Sequence, residues 1–110
     1  MPRAKPSSET LRQVFARNVR LVRANKDMSQ EVMAAQAQLD RTFIGSLERG
    51  ERNISIDNIE RLAKAIDVPP HELLDPELAK LRGLDEEKTR ASRTARVYPA
   101  ERRPRAKSPS

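Results

Sequence analysis

The chain has no cysteine and no tryptophan, and aromatic residues make up 3% of its 110 positions. Without cysteine there is neither a disulfide framework nor a thiolate metal site. The single histidine, His71, cannot assemble a metal cluster and reads as a helix-surface residue. No run approaches the roughly 20 apolar residues of a membrane span. The opening MPRAKPSSE lacks the apolar segment of a secretory signal. A soluble, cytoplasmic protein is therefore expected, with one small aliphatic-cored domain and polar tails.

Charge is present in quantity but unevenly placed. The net +6 comes from the C-terminal third: residues 79–110 hold 10 basic and 4 acidic side chains, whereas residues 11–78 hold 10 basic and 11 acidic. A basic tail alone says little about partners. The placement of the cations within the near-neutral domain says more.

Residues 1–10 are rich in Pro, Ser and Lys and read as a disordered arm. From Leu11, apolar residues recur at Val14, Phe15, Val19 and Val22, a helical stripe running to about Asn25. Three later segments share a device: an apolar residue before a cap and another five positions on, the hydrophobic staple. It occurs as Met28-Ser29 with Met33, Leu39-Asp40 with Ile44, and Ile54-Ser55 with Ile59. Val68 and Leu73 repeat the spacing around Pro69-Pro70, where proline suits a first turn. Ser29, Asp40 and Ser55 are expected N-caps, and Gly50 a C-terminal stop.

The expected fold is all-α: a five-helix bundle with helices over 11–25, 29–36, 40–49, 56–66 and 70–74. Asp75-Pro76 could start a sixth, with Leu78 and Leu81 on one face, and 79–84 is a candidate helical extension. Helices this short need packing to persist. Phe15, Val19, Val22, Met33, Ile44, Leu47, Ile59, Leu62, Ile66 and Leu73 should form one core. Residues 85–110 cannot bury enough apolar surface to offset the entropy of ordering and read as a basic disordered tail.

The segment Ser29–Gly50 carries the functional signal. It reads as two short helices joined by a tight turn. On the second, Ile44 and Leu47 face inward and Arg41, Thr42 and Ser46 outward. Arginine can pair with guanine, and a threonine methyl with that of thymine. Gly45 costs roughly 1 kcal/mol against alanine inside a helix, and one reason to keep it is close approach to another surface. The plainer alternative for each residue is a solvated polar face; together, after a capped helix and turn, they point to a helix entering the DNA major groove. The N–H groups around Ser29 and Gln30 suit a phosphate, as do Arg49, Arg52 and Asn53. Glu48 beside the core needs a partner, and Arg23, next to core Val22, is the expected one, in a salt bridge between the first and third helices.

Several strings in order carry a family resemblance: Asn18-Val19-Arg20 with Arg23, Ser29-Gln30-Glu31, Leu39-Asp40-Arg41-Thr42-Phe43-Ile44, Leu47-Glu48-Arg49-Gly50, Arg52-Asn53, Leu62-Ala63-Lys64-Ala65-Ile66 and Leu73-Leu74. From about Phe15 to Leu74 the chain resembles the phage-repressor-type helix-turn-helix proteins, also called the xenobiotic-response-element family. Within it, LDRTFIGSLERGERN is similar to the controller proteins of restriction–modification systems. The resemblance implies a five-helix domain bound to operator DNA as a homodimer. It implies base contacts from Arg41, Thr42 and Ser46, phosphate contacts near Gln30 and Asn53, and the Arg23–Glu48 bridge. The chain departs from the family pattern at Gln38, where glycine is common in the turn, at Ala16, and at Val32, which leaves Ser29 without a capping box.

The reading is thus a transcriptional regulator, a repressor or autoregulator, with double-stranded DNA as partner. Val68, Leu74, Leu78 and Leu81 are candidates for the dimer surface. The alternative is an antitoxin or coactivator-like interaction module whose C-terminal tail takes a protein partner or binds nucleic acid non-specifically. No cofactor, metal or membrane is called for. The sequence offers no nucleophile–base pair or glycine-rich phosphate loop that would suggest an enzyme.

Overall fold

The computed structural model of the chain describes residues 9–88. Five α-helices and a 3₁₀ turn follow one another: α1 (Leu11–Asn25), α2 (Gln30–Ala37), α3 (Arg41–Glu48), α4 (Ile56–Ile66), the 3₁₀ turn Pro70–Leu74, and α5 (Leu78–Arg82). There is no strand among the described residues.

Helix starts follow the cap chemistry of the sequence, with three departures. The first is α5, which runs over Leu78–Arg82 from Glu77 rather than starting at Asp75-Pro76 or extending over 79–84. Ser29 Oγ accepts from Val32 N–H and Ser55 Oγ from Asn58 N–H, as expected of N-caps. Asp40 has the extended backbone of a cap, yet its side chain makes no cap hydrogen bond. Thr10, in the segment expected to be a disordered arm, builds a full capping box with Gln13. Glu9 pairs with Arg17 on α1, so order begins before Leu11. Residues 1–8 lie outside the described residues.

The fifth segment is a 3₁₀ turn rather than an α-helix. Proline at position 76 pushes Asp75 out of the helical region, and its φ of −91° and ψ of 119° are extended. A ladder stopped after five residues closes through i to i+3 bonds, with Glu72 N–H on Pro69 O (3.0 Å) and Asp75 N–H on Glu72 O (3.1 Å).

The expected core forms. Phe15, Val19 and Val22 of α1 meet Met33, Ile44, Leu47, Leu62, Ile66 and Leu73, with Ile59 packed at its edge. Ala34, Ala37 and Ala63 let α2 and α4 come close. Two dimer-surface candidates are in this core: Leu78 is fully buried and Val68 nearly so. Leu78 seats α5 against the core, which the short 3₁₀ turn would otherwise leave uncovered. Leu74 is half-buried, and Leu81 alone of the four is well exposed.

Polar staples fix the helices relative to one another. Buried Asn18 donates to Leu73 O (2.9 Å) and Asp75 O (2.8 Å), holding the 3₁₀ turn on α1. Residues 85–88, expected in the disordered tail, are also tied down. Asn25 Nδ2 donates to Asp85 O (3.0 Å), Asp85 N–H returns to Asn25 Oδ1 (2.9 Å), and Lys88 Nζ pairs with Asp27 (2.8 Å). The apolar pattern ends near Leu84, so periodicity gave no sign of this polar docking. The rest of the expected tail, residues 89–110, lies outside the described residues.

Candidate nucleic-acid interface

The α2–α3 pair is joined by Gln38, Leu39 and Asp40. Gln38 is left-handed (φ 60°, ψ 44°), the conformation in which the chain's departure from glycine costs roughly 1–2 kcal/mol. Its N–H reaches Ala35 O (3.2 Å) and that of Leu39 reaches Ala34 O (2.9 Å), reversing the chain within three residues. Arg61 of α4 donates to Gln38 O (3.4 Å) and steadies the turn.

α3 is fixed in depth by an ion pair. Arg23 Nε and Nη2 grip Glu48 Oε2 and Oε1 at 2.6 and 2.9 Å, with side chains 7% and 3% exposed. Arg23 Nη1 also donates to Met28 O (2.7 Å), and Gln30 Nε2 to Glu48 Oε1 (2.9 Å). One carboxylate thus gathers α1, α2 and α3. Two parallel N–H donors match its two oxygens, the bidentate fit that makes such pairs specific.

The outward face of α3 is a stripe of residues four apart: Arg41, Gly45, Arg49, with Thr42 beside it. Arg41, Thr42 and Arg49 are exposed. Gly45 forms the floor: a Cβ there would stand 3.0 Å from Arg41 Nη1 and 3.5 Å from Arg49 Nη1. The close approach suggested by this mid-helix glycine is made by the protein's own guanidinium groups. Arg41 also leans toward Glu31 of α2 (3.4 Å). Arg49 bonds Glu51 (3.1 Å), and that hydrogen bond, with the carboxylate charge, raises its pKa further and keeps it cationic.

Ser46 does not join this stripe. It is 7% exposed, and its Oγ donates to Phe43 O (3.0 Å) and accepts from Arg52 Nε (2.8 Å). Helical periodicity puts position 46 away from the core. However, the chain leaving α3 turns at Gly50 (φ 79°) and sends Glu51 N–H back to Ser46 O (3.0 Å), covering it. Arg52, held by Ser46, lies with its guanidinium carbon 5.4 Å from the Phe43 ring centroid, a cation–π distance. An exposed cation is thereby held at the flank of α3. Asn53 is exposed next to it.

At the start of α2, Ser29 caps Val32, and the ladder begins with Met33 N–H on Ser29 O (3.0 Å). The N–H groups of Gln30 and Glu31 precede the ladder and point out of the helix end, the usual disposition for meeting an anion.

A capped helix, a left-handed turn and a second helix with a cationic, glycine-floored face define the class: a DNA-binding helix-turn-helix regulator. Residues 19–73 match the helix-turn-helix family, and the chain belongs to it. It is 46% identical over 69 residues to control protein C.BamHI of Bacillus amyloliquefaciens, across 62% of this chain and 85% of that protein. It is similar in structure to the hypothetical transcription factor NHTF from Neisseria, at 43% identity and TM-score 0.63 over 74% of this chain and 94% of the other. It is also similar to the restriction-modification controller protein C.Esp1396I, solved as a tetramer with its natural 35 base-pair operator. There the identity is 31% and the TM-score 0.58, over 64% of this chain and 97% of the other. No described helix is long and apolar enough to cross a membrane.

Proposed function

We propose that the chain is a non-catalytic, cytoplasmic transcriptional regulator of controller type that binds a two-fold operator as a homodimer, repressing or tuning promoters that include its own. The observation that carries this reading is the Arg41–Gly45–Arg49 stripe on α3. Arg41 and Thr42 read base edges in the major groove. Ser29 and Gln30 at the α2 end, with Arg49, Arg52 and Asn53 beyond α3, meet phosphates on either side and set the register. Ser46 holds Arg52 in place. Controller C.Esp1396I, solved on its operator as a tetramer, supports an oligomer on DNA.

The second copy seats on a different apolar face from the one suggested by Val68 and Leu78. Leu11, Ile54, Ile56, Ile59 and Leu74 line a groove of about 610 Å³, and Ile56 is 77% exposed. Large apolar side chains gathered at one exposed place mark an interaction surface. The groove also reaches Arg52 and Asn53, so a dimer formed there carries two α3 helices in fixed relation. Half-sites should lie roughly 10 base pairs apart, or a multiple of that.

In-vitro selection of random duplex DNA on the full-length protein at physiological salt tests the reading. Enrichment of a two-fold motif is expected. Binding retained without any motif would overturn it in favour of an interaction module with a non-specific basic tail.

A further inference from the structure

The two arginines of the α3 stripe are held in the same way. Arg41 Nε donates to Glu31 Oε2 at 3.4 Å, and Arg49 Nε donates to Glu51 Oε2 at 3.1 Å. In each pair the carboxylate takes the inner nitrogen and leaves Nη1 and Nη2 for another partner. The terminal nitrogens also converge. Arg41 Nη1 and Arg49 Nη1 both lie within 3.5 Å of the point where a Cβ at Gly45 would stand. Like charges brought to one place repel, and the two carboxylates offset that repulsion. Gln30 borders the same floor. Its Nε2 is committed to Glu48 Oε1 (2.9 Å), a carboxylate that can only accept, so its Oε1 is the end turned toward the arginines, 4.0 Å from that point.

We infer that Glu31 and Glu51 are positioning residues that set DNA selectivity. Each holds an α3 arginine by Nε so that its outer edge faces the groove, and each cancels charge that would draw that arginine to any phosphate. This rests on the DNA-binding reading above and deepens it by adding the acids that control Arg41 and Arg49. A guanine edge offers O6 and N7, two neutral acceptors matched by two N–H donors of one guanidinium. Arg41 can make that pair through Nη1 and Nη2 with Glu31 still on Nε. A phosphate brings negative charge instead, and it must approach a carboxylate of the same sign. The two acids therefore weaken binding to random DNA more than binding to an operator. All four side chains are exposed, and ion pairs so exposed add little to stability. Support of the fold does not account for an arrangement made twice on one face.

The full chain is compared with Glu31→Gln, Glu51→Gln and the variant carrying both. Glu60→Gln, at an exposed acid of α4 outside this face, is the control for net charge. Thermal melting checks that each variant folds. Affinity is measured on the selected operator and on a random-sequence duplex of the same length, over a range of salt. On the random duplex the double variant is expected to bind more tightly. Its plot of log affinity against log salt should steepen by about 1–2, since each newly neutralised phosphate contributes about 0.9. The ratio of operator to random affinity should fall about 10-fold or more, the order of one lost base discrimination. Selection repeated with Glu31→Gln should relax preference at the same base pair as Arg41→Ala. Glu60→Gln should shift both duplexes by one factor. A ratio and salt slope that change no more in the double variant than in Glu60→Gln overturn the inference, as does an untouched base preference in Glu31→Gln. Failure of the unaltered protein to enrich any operator would instead overturn the α3 reading, and the inference with it.

Discussion

Gly45 lies directly beneath Arg41: a Cβ at position 45 would come within 3.0 Å of Arg41 Nη1. The atom it would displace is the far end of a flexible side chain, so the fold can absorb an alanine. Gly45→Ala should raise stability by about 0.5–1 kcal/mol through helix propensity. DNA affinity should fall at the same time, because Arg41 loses its resting place on α3. Urea unfolding and operator titration read the two effects separately. If affinity and stability rise together, Gly45 is not a floor for readout.

Arg41 and Ser46 are expected to fail differently. Arg41→Ala should relax preference at one base pair, at a cost of about 1–3 kcal/mol. Ser46→Ala removes the acceptor that holds Arg52 Nε at 2.8 Å and touches no base. Its effect should be a weaker affinity that is uniform across sequences, with base preferences intact. Selection profiles of the two variants check this. A change of base preference in Ser46→Ala would return that residue to the readout face.

Breaking the Arg23–Glu48 pair should be costly. Both side chains are almost fully buried, and truncating one leaves the other charged and desolvated. Glu48→Ala or Arg23→Ala should destabilise the fold by about 3–5 kcal/mol. The double variant should lose much less than the sum of the two, as a denaturant double-mutant cycle would show. Additive losses would mean that the two residues act independently.

Gln38 is left-handed at a position favourable to glycine. Gln38→Gly relieves roughly 1–2 kcal/mol of backbone cost and adds somewhat less in unfolded-chain entropy. The expected gain is about 0.5–1 kcal/mol by thermal or urea unfolding. A loss would show that contacts of the Gln38 side chain outweigh the strain.

Ile56 is the most exposed large apolar side chain among the described residues, so Ile56→Lys should leave the melting of the monomer unchanged. Light scattering after size exclusion should show that it converts a dimer to a monomer, with operator affinity falling in step. Leu78→Lys, by contrast, should unfold the domain, because Leu78 is in the core. A dimer that survives Ile56→Lys would place the second copy elsewhere.

Much of this architecture was legible in the chain's local chemistry. The staples at Met28, Leu39 and Ile54, the caps at Ser29 and Ser55 and the apolar spacing of α1 set helix positions to within a residue or two, because capping and periodicity act over a few neighbours. The Arg23–Glu48 pair was legible too, since each charge sits next to a core residue and has to be neutralised. Periodicity also separated Arg41 and Thr42 from Ile44 and Leu47.

What only the tertiary structure decided concerns residues whose surroundings are supplied by distant chain. Ser46 points away from the core by helical angle, yet the return of the chain through Gly50 and Arg52 covers it and turns it into a support for Arg52. Val68 and Leu78 look surplus to a small core until α5 folds over the 3₁₀ turn and needs Leu78 as its anchor. Asp27 and Lys88 are 61 residues apart and polar, so no pattern in the sequence couples them. The sequence by itself determined where helices begin and which face of each is apolar, because those follow from contacts within a turn. Burial of a polar side chain, and the choice of which apolar side chains stay outside, depend on which loops cross over them, and that is settled only when the whole domain closes.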